Sequence, residues 1–240
     1  MAVSNVKKED MIKVVLWDVD GTLLDFEKAE EAGIRSCFKK YNLGECTDEM
    51  LEAYKKINRR YWQMLERGEM TKPEILVGRF REFFTVYGLD VSAAEAVNAE
   101  YQIRLGDTVV FCNNALETVQ TLKGKVLQCA VTNGTKVAQD RKLANSCLDK
   151  LFEHIFISEE IGIEKPNVGF FDTVFKVIGT YAPEEVLIVG DSLTSDIQGG
   201  VNAGIKTCWY NPKGVKNTSS LTPDYEIRDI LEVMKITNLQ

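Results

Sequence analysis

The chain has 240 residues, 45% of them hydrophobic and 27% charged, and a formal net charge of -7 at pH 7. That length allows one large or two modest domains with a real core. The acidic balance, without any Lys/Arg-rich run, excludes a nucleic-acid-binding surface, and no apolar run is long enough to cross a membrane.

The first element is the most informative. Residues 11–25 read MIKVVLWDVDGTLLD. The apolar run Val14–Trp17 leads straight into Asp18 and Asp20, then Gly21 and Thr22. A short apolar run bounded by a turn signal reads as a buried strand. Both carboxylates then sit just past its C-terminal end, where open parallel sheets bind ligands. Two acids this close are costly unless a cation or a catalytic task accounts for them. The arrangement suits an aspartate nucleophile beside an aspartate acid/base.

Residues 26–106 carry helical patterns and little else. Residues 26–41 space their apolar positions helically, and in residues 47–65 Leu51, Tyr54, Ile57, Tyr61 and Leu65 mark one face. Thr71–Glu74 and Ser92–Glu95 both fit the capping box and each opens a helix. The first of these stops near Gly88, where glycine takes a left-handed position. From Asn113 onward helix and strand alternate, the pattern of a doubly wound parallel sheet. Strands are expected at residues 126–132, His154–Ile157, residues 186–189, Lys206–Tyr210 and Tyr225–Ile227. Gly199, Gly200 and Gly204 do not fit a dinucleotide fingerprint and are read as ending a helix before the Lys206 strand.

Three further segments repeat the character of the first. The strand at 126–132 ends in Thr132-Asn133-Gly134. Ile163-Glu164-Lys165-Pro166 places a lone lysine before a proline, and the run from Val186 ends in GDSLTSD, with Asp191 and Asp196. Taken alone, Thr-Asn-Gly is an ordinary turn and Lys165 an exposed lysine before a helix-opening proline. In chain order, however, DxDGT, TNG, KP and GDSxxxD resemble the four motifs of the haloacid dehalogenase-like hydrolase superfamily.

That resemblance implies a Rossmann-like α/β core of residues 1–25 and 107–240 carrying an inserted four-helix cap of residues 26–106. The cap of such proteins closes over the site and supplies much of the specificity, with hinges expected near residues 25–27 and 105–108. It also implies roles. Asp18 attacks phosphorus and forms an aspartyl-phosphate, while Asp20 protonates the leaving alkoxide and then activates water. Thr132 and the Asn133 backbone N–H hold phosphoryl oxygens, and Lys165 neutralises Asp18 and the transferring group. Mg²⁺ is bound by Asp18, Asp191 and the Asp20 main-chain carbonyl, with Asp196 in the outer shell or holding Lys165. Electrostatics call for such a cation, since two like charges ~4 Å apart at an effective dielectric of ~20 repel by about 4 kcal/mol.

The expected activity is Mg²⁺-dependent phosphomonoester hydrolysis on a small phosphorylated metabolite. Within the superfamily, WDVDGTLLDF, Asn133-Gly134 and GDSLTSDIQGGVNAGIKTCWYN resemble the pyrimidine 5′-nucleotidase branch, which implies a nucleoside monophosphate substrate. Val168-Gly169 after Lys165-Pro166-Asn167, and Phe111–Asn114, depart from the commoner family pattern without touching the proposed chemistry. A sugar-phosphate phosphatase or phosphomutase keeps the same motifs and stands as the alternative. Asp20 argues against a dehalogenase, a phosphonatase would need a cap lysine such as Lys28, Lys39 or Lys40, and a binding protein would have lost one of the acidic or lysine residues.

The remaining residues narrow the field. His154, the single histidine, opens an apolar strand-like run, so histidine-based phosphatase and serine–histidine chemistry are disfavoured. Trp17, Trp62 and Trp209 are read as core residues, with Tyr61 and Trp62 able to reach substrate from the cap. Six cysteines, at 37, 46, 112, 129, 147 and 208, show no ligand spacing and point to a reducing compartment. Lys7 and Lys8 are followed by Glu9 and Asp10, so no signal peptide is read and a cytoplasmic location is expected.

Overall fold

A computed structural model describes residues 11–239; Lys7, Lys8, Glu9 and Asp10 lie outside the described residues. In chain order the strands are β1 (Val14–Trp17), β2 (Leu127–Thr132), β3 (His154–Ile157), β4 (Val186–Gly190), β5 (Lys206–Tyr210) and β6 (Tyr225–Ile227). The helices are α1 (Phe26–Lys40), α2 (Asp48–Glu66), α3 (Lys72–Tyr87), α4 (Ala94–Asp107), α5 (Ala115–Leu122), α6 (Lys136–Asn145), α7 (Ser158–Ile161), α8 (Val168–Ile178), α9 (Gln198–Ala203) and α10 (Val233–Ile236). No helix among the described residues is long and apolar enough to cross a membrane.

The chain divides into two compact units. One comprises the residues up to Leu24, Phe111–Asn133 and Leu148 onward; the other comprises Asp25–Val110 and Gly134–Cys147. The chain thus passes between units at residues 24/25 and 110/111, and again at 133/134 and 147/148.

In the first unit the described strands form one sheet in the order β3-β2-β1-β4-β5-β6, every neighbouring pair parallel. β1 and β4 are wholly buried, which explains why they read as unbroken apolar runs. On one face Val14, Leu16, Val131, Val186 and Ile188 pack with Phe170, Phe171 and Val174 of α8. Gly200 lies inside α9, where an added Cβ would come 2.6 Å from Ile188 and Thr207 side-chain atoms, so the helix backbone rides close on β4 and β5. Gly199 is likewise interior, and only Gly204, at φ +71, is the terminator the sequence suggests. With this strand order, successive connections run outward in opposite directions on either side of β1 and β4. The crevice at their C-terminal ends is the topological switch point.

The second unit gathers α1–α4 and α6 around an aromatic core. The Tyr54 ring lies 5.1 Å from Phe80, 5.4 Å from Phe83 and 5.8 Å from Tyr101. Local signals fix the helix ends: Asp25 caps α1, Thr47 caps α2, Thr71 and Glu74 form the expected capping box on α3, and Gly88 ends it at φ +64. Ser92–Glu95 does not form a box. Asp90 captures the Ser92 N–H first, a 3₁₀ turn over Val91–Ala93 follows, and Glu95 pairs with Arg81 instead. A buried polar seam also runs through this unit. Arg79 donates to the Asn58 and Asn98 side-chain oxygens, Asn58 donates to Glu30, and Gln102 joins Asn98 to Thr135.

Candidate active site

The acidic residues sit where strand ends and glycines leave room for them. Asp18 directly follows β1, its N–H donating to the Val189 carbonyl of β4 at 2.9 Å. Gly21, at φ +92, supplies the turn after Asp20, and a Cβ there would come 2.6 Å from an Asp191 carboxylate oxygen. Gly190, the last residue of β4, plays the same part for Asp196, whose carboxyl carbon would lie 2.2 Å from an added Cβ. The glycine that ends β4 is therefore a steric requirement of the cluster.

Lys165 ties the strand ends together. It is 1% exposed, and its ammonium donates to Asp18 Oδ1 at 2.9 Å, Asp196 Oδ1 at 2.6 Å and the Val131 carbonyl at 2.6 Å. All three of its protons are thereby used. Burial works against the charged form, but the Asp18 and Asp196 carboxylates outweigh it and hold the ammonium above the ordinary lysine range. Asp18 moves the other way: burial first, then the Asp196 charge, push it up to about 7 against the pull of Lys165, and Asp20 adds a smaller upward push. Asp191 is exposed as a residue, yet its carboxylate lies over Gly21 in a desolvated position near Asp18, and both effects raise it well above the usual carboxylate range.

Carboxylate oxygens of Asp18, Asp191 and Asp196 lie within 4.8 Å of one another. Asp196 is already engaged, one oxygen on Lys165 and the other accepting the Ser192 N–H at 3.2 Å. Asp18 likewise has one oxygen on Lys165 and the other 3.0 Å from Thr22 Oγ1, and Asp191 completes the cluster beside it. Three carboxylates against one ammonium leave an excess of negative charge among oxygen-only donors, a set that fits a hard divalent cation.

The other expected residues are found at the same strand ends. Thr132 is the buried last residue of β2, next to the Val131 carbonyl that receives Lys165. Asn133 takes part through its side chain. Its side chain accepts the Lys165 N–H at 2.9 Å and donates to the Lys165 carbonyl at 2.8 Å and to Ser195 Oγ at 3.2 Å. Asp20 lies half-buried in the turn, bridged to Leu24.

Three contributors carry no assigned role in the sequence. Thr22 Oγ1 lies 3.0 Å from Asp18 Oδ2 and accepts the Asp191 N–H at 3.0 Å, so it braces both acids. Ser195 stands in a π-helical turn, Leu193–Ile197, that also presents Asp196. The Trp209 indole N–H donates to the Asp191 carbonyl at 2.9 Å. Thr22 lies within the DxDGT string and Ser195 on an unspecified position of GDSxxxD, while Trp209, read as a core residue, carries no local sign of this bond.

The profile described as haloacid dehalogenase-like hydrolase matches residues 15–210, the span from β1 to the end of β5. The chain belongs to the haloacid dehalogenase-like hydrolase family. It is 36% identical to the HAD-hydrolase YfnB of Bacillus subtilis over 95% of this chain and 96% of YfnB. A crystal structure of YfnB bound to magnesium superposes with a TM-score of 0.89, covering 95% of this chain and 99% of that one. The pyrimidine 5′-nucleotidase PynA of Streptococcus pneumoniae is 33% identical over 92% of this chain and 94% of its own. The pyrimidine 5′-nucleotidase YjjG of Escherichia coli is 28% identical over 90% and 96%. Membership makes this chain a hydrolase built on the family's α/β fold.

Proposed function

We propose that this hydrolase cleaves phosphomonoesters by way of an aspartyl-phosphate on Asp18, with Mg²⁺, and that its substrates are pyrimidine nucleoside monophosphates. The observation that carries the reading is the Lys165 bridge between Asp18 and Asp196 beside Asp191, at the switch point of a parallel sheet. The named activity of PynA and YjjG, and the magnesium in YfnB, support the substrate and the metal.

In this reading Asp18 attacks phosphorus in line, and the bond to the ester oxygen breaks as the new one forms. Asp20 gives its proton to the departing alkoxide. Thr132 and the Asn133 N–H hold phosphoryl oxygens while Lys165 offsets the charge gathering on Asp18 and the phosphoryl group. Asp20 then removes a proton from water as it attacks the phosphoryl group, which restores Asp18 and frees inorganic phosphate. Asp196 keeps Lys165 protonated and in place. Asp18, Asp191 and the Asp20 carbonyl would hold Mg²⁺, which supplies charge neutralisation to an incoming dianionic phosphate.

Phosphate release from a panel of nucleoside monophosphates and sugar phosphates, with Mg²⁺ and with EDTA, tests the reading. Release favouring UMP, dUMP or dTMP and abolished by EDTA is expected. Release chiefly from sugar phosphates would keep the chemistry and overturn the substrate; release unaffected by EDTA would overturn the metal.

A further inference from the structure

The peptide units around Asp191 are held by side chains and not by the sheet. The β4 ladder ends at Gly190, which stands opposite Trp209 of β5. Asp191 is the first residue beyond it, and a carboxylate there can be aimed only if its own φ and ψ are fixed. Two bonds from different elements do this. Its N–H donates to Thr22 Oγ1 at 3.0 Å, and its carbonyl accepts the Trp209 indole N–H at 2.9 Å. The next residue, Ser192, is secured separately, since its N–H goes to Asp196 and its carbonyl accepts from the Asp196 and Ile197 N–H groups. Trp209 is 5% exposed, so its donor works in a setting where an unmade hydrogen bond is expensive.

We infer that Trp209 is a positioning residue for the metal site: its indole N–H fixes the Asp191 main chain and thereby sets the affinity for Mg²⁺. The inference rests on the reading of Asp191 as a Mg²⁺ ligand. It concerns a group that acts through the peptide it holds. Partners of this kind typically change metal affinity by about 10- to 100-fold when removed.

Trp209→Phe separates the donor from the ring, because phenylalanine keeps most of the apolar body and loses the N–H. Calorimetric titration of EDTA-stripped protein with Mg²⁺ alone, without substrate, should give a dissociation constant about tenfold weaker for W209F than for wild type. Asp191→Asn serves as the variant that loses the ligand itself. A purely packing role predicts a lower melting temperature for W209F in EDTA with an unchanged Mg²⁺ constant, and that result overturns the inference. Wild-type protein that takes up no Mg²⁺ overturns the functional reading and the inference with it. Wild-type protein that binds while W209F binds equally tightly overturns the inference alone. Should W209F fail to fold, the wild type still answers: in ¹⁵N-tryptophan-labelled protein, the assigned Trp209 indole N–H resonance should move with Mg²⁺ while that of Trp62 stays put. An unmoved Trp209 resonance contradicts the coupling.

Discussion

In the proposed reaction Asp18 has to be ionised to act as a nucleophile, yet burial and Asp196 push it up to about 7. In the proposed site, a dication held by Asp18 would reverse that logic, and its uptake would release protons near neutrality. Because the folded-site pKa lies above the ordinary carboxylate value, the proton competes with Mg²⁺ as pH falls through about 7. Calorimetric Mg²⁺ affinity should therefore weaken between about pH 8 and about pH 6, with protons released on binding that are visible as a buffer-dependent heat. An affinity that does not change over this range would mean that Lys165 alone keeps Asp18 ionised. Asn133 shows a different residue-scale lesson. The tripeptide Thr-Asn-Gly suggests a phosphate-holding turn, whereas the side-chain amide is spent clamping both main-chain groups of Lys165. Such a contact joins residues 32 apart in the chain, and no local spacing announces it.

At the scale of elements, what was legible depends on how completely an element is buried or capped. Val14–Trp17 and His154–Ile157 form strands with the expected bounds, and β2 and β4 differ from expectation by one residue, since apolar runs between turn signals have few other uses. The capping box at Ser92 fails because Asp90, a better cap two residues earlier, captures the backbone first. Helix α6 illustrates the opposite limit. Its buried residues include Gln139 and Lys142, so it carries no clean apolar stripe, and its membership of the helical unit cannot be read from the pattern. The same unit buries Glu30, which desolvation pushes from 4.5 up to about 7 while Asn58, Arg79 and Lys55 pull it partly back. A carboxyl raised in the folded state leaves stability full below about pH 4.5 and erodes it as pH climbs toward about 7. Glu30→Gln keeps an acceptor for Asn58 and removes the charge. Its melting temperature should exceed that of wild type at about pH 8, by an amount worth on the order of 3 kcal/mol at most, and the gain should vanish near pH 4.5. Equal differences at the two pH values would place the effect in packing and not in the charge.

For the whole molecule, the strand order puts Asp18 at the end of β1 and Asp191 just past β4, its neighbour across the switch point. Lys165 arrives from a loop after β3 and Asp196 from the π-helical turn after β4, so residues spread over 179 positions of sequence form one cluster. The motif order made this cluster legible because three of the four motifs cap strands, and parallel strands deliver all their C-terminal ends to one edge. The substrate is less legible, because shape complementarity toward a base or sugar is not encoded in any short string.

The central claim is a covalent phosphoryl group on Asp18. Asp20→Asn should slow hydrolysis of that intermediate, so quenching this variant in acid during reaction with a nucleoside monophosphate and Mg²⁺ should trap it. The account predicts one hydroxylamine-sensitive phosphoryl group per chain, located by mass spectrometry to the peptide containing Asp18 and absent when Asp18→Asn is added. Near-normal turnover by Asp18→Asn alone, with no phosphorylated peptide in either variant, would contradict it.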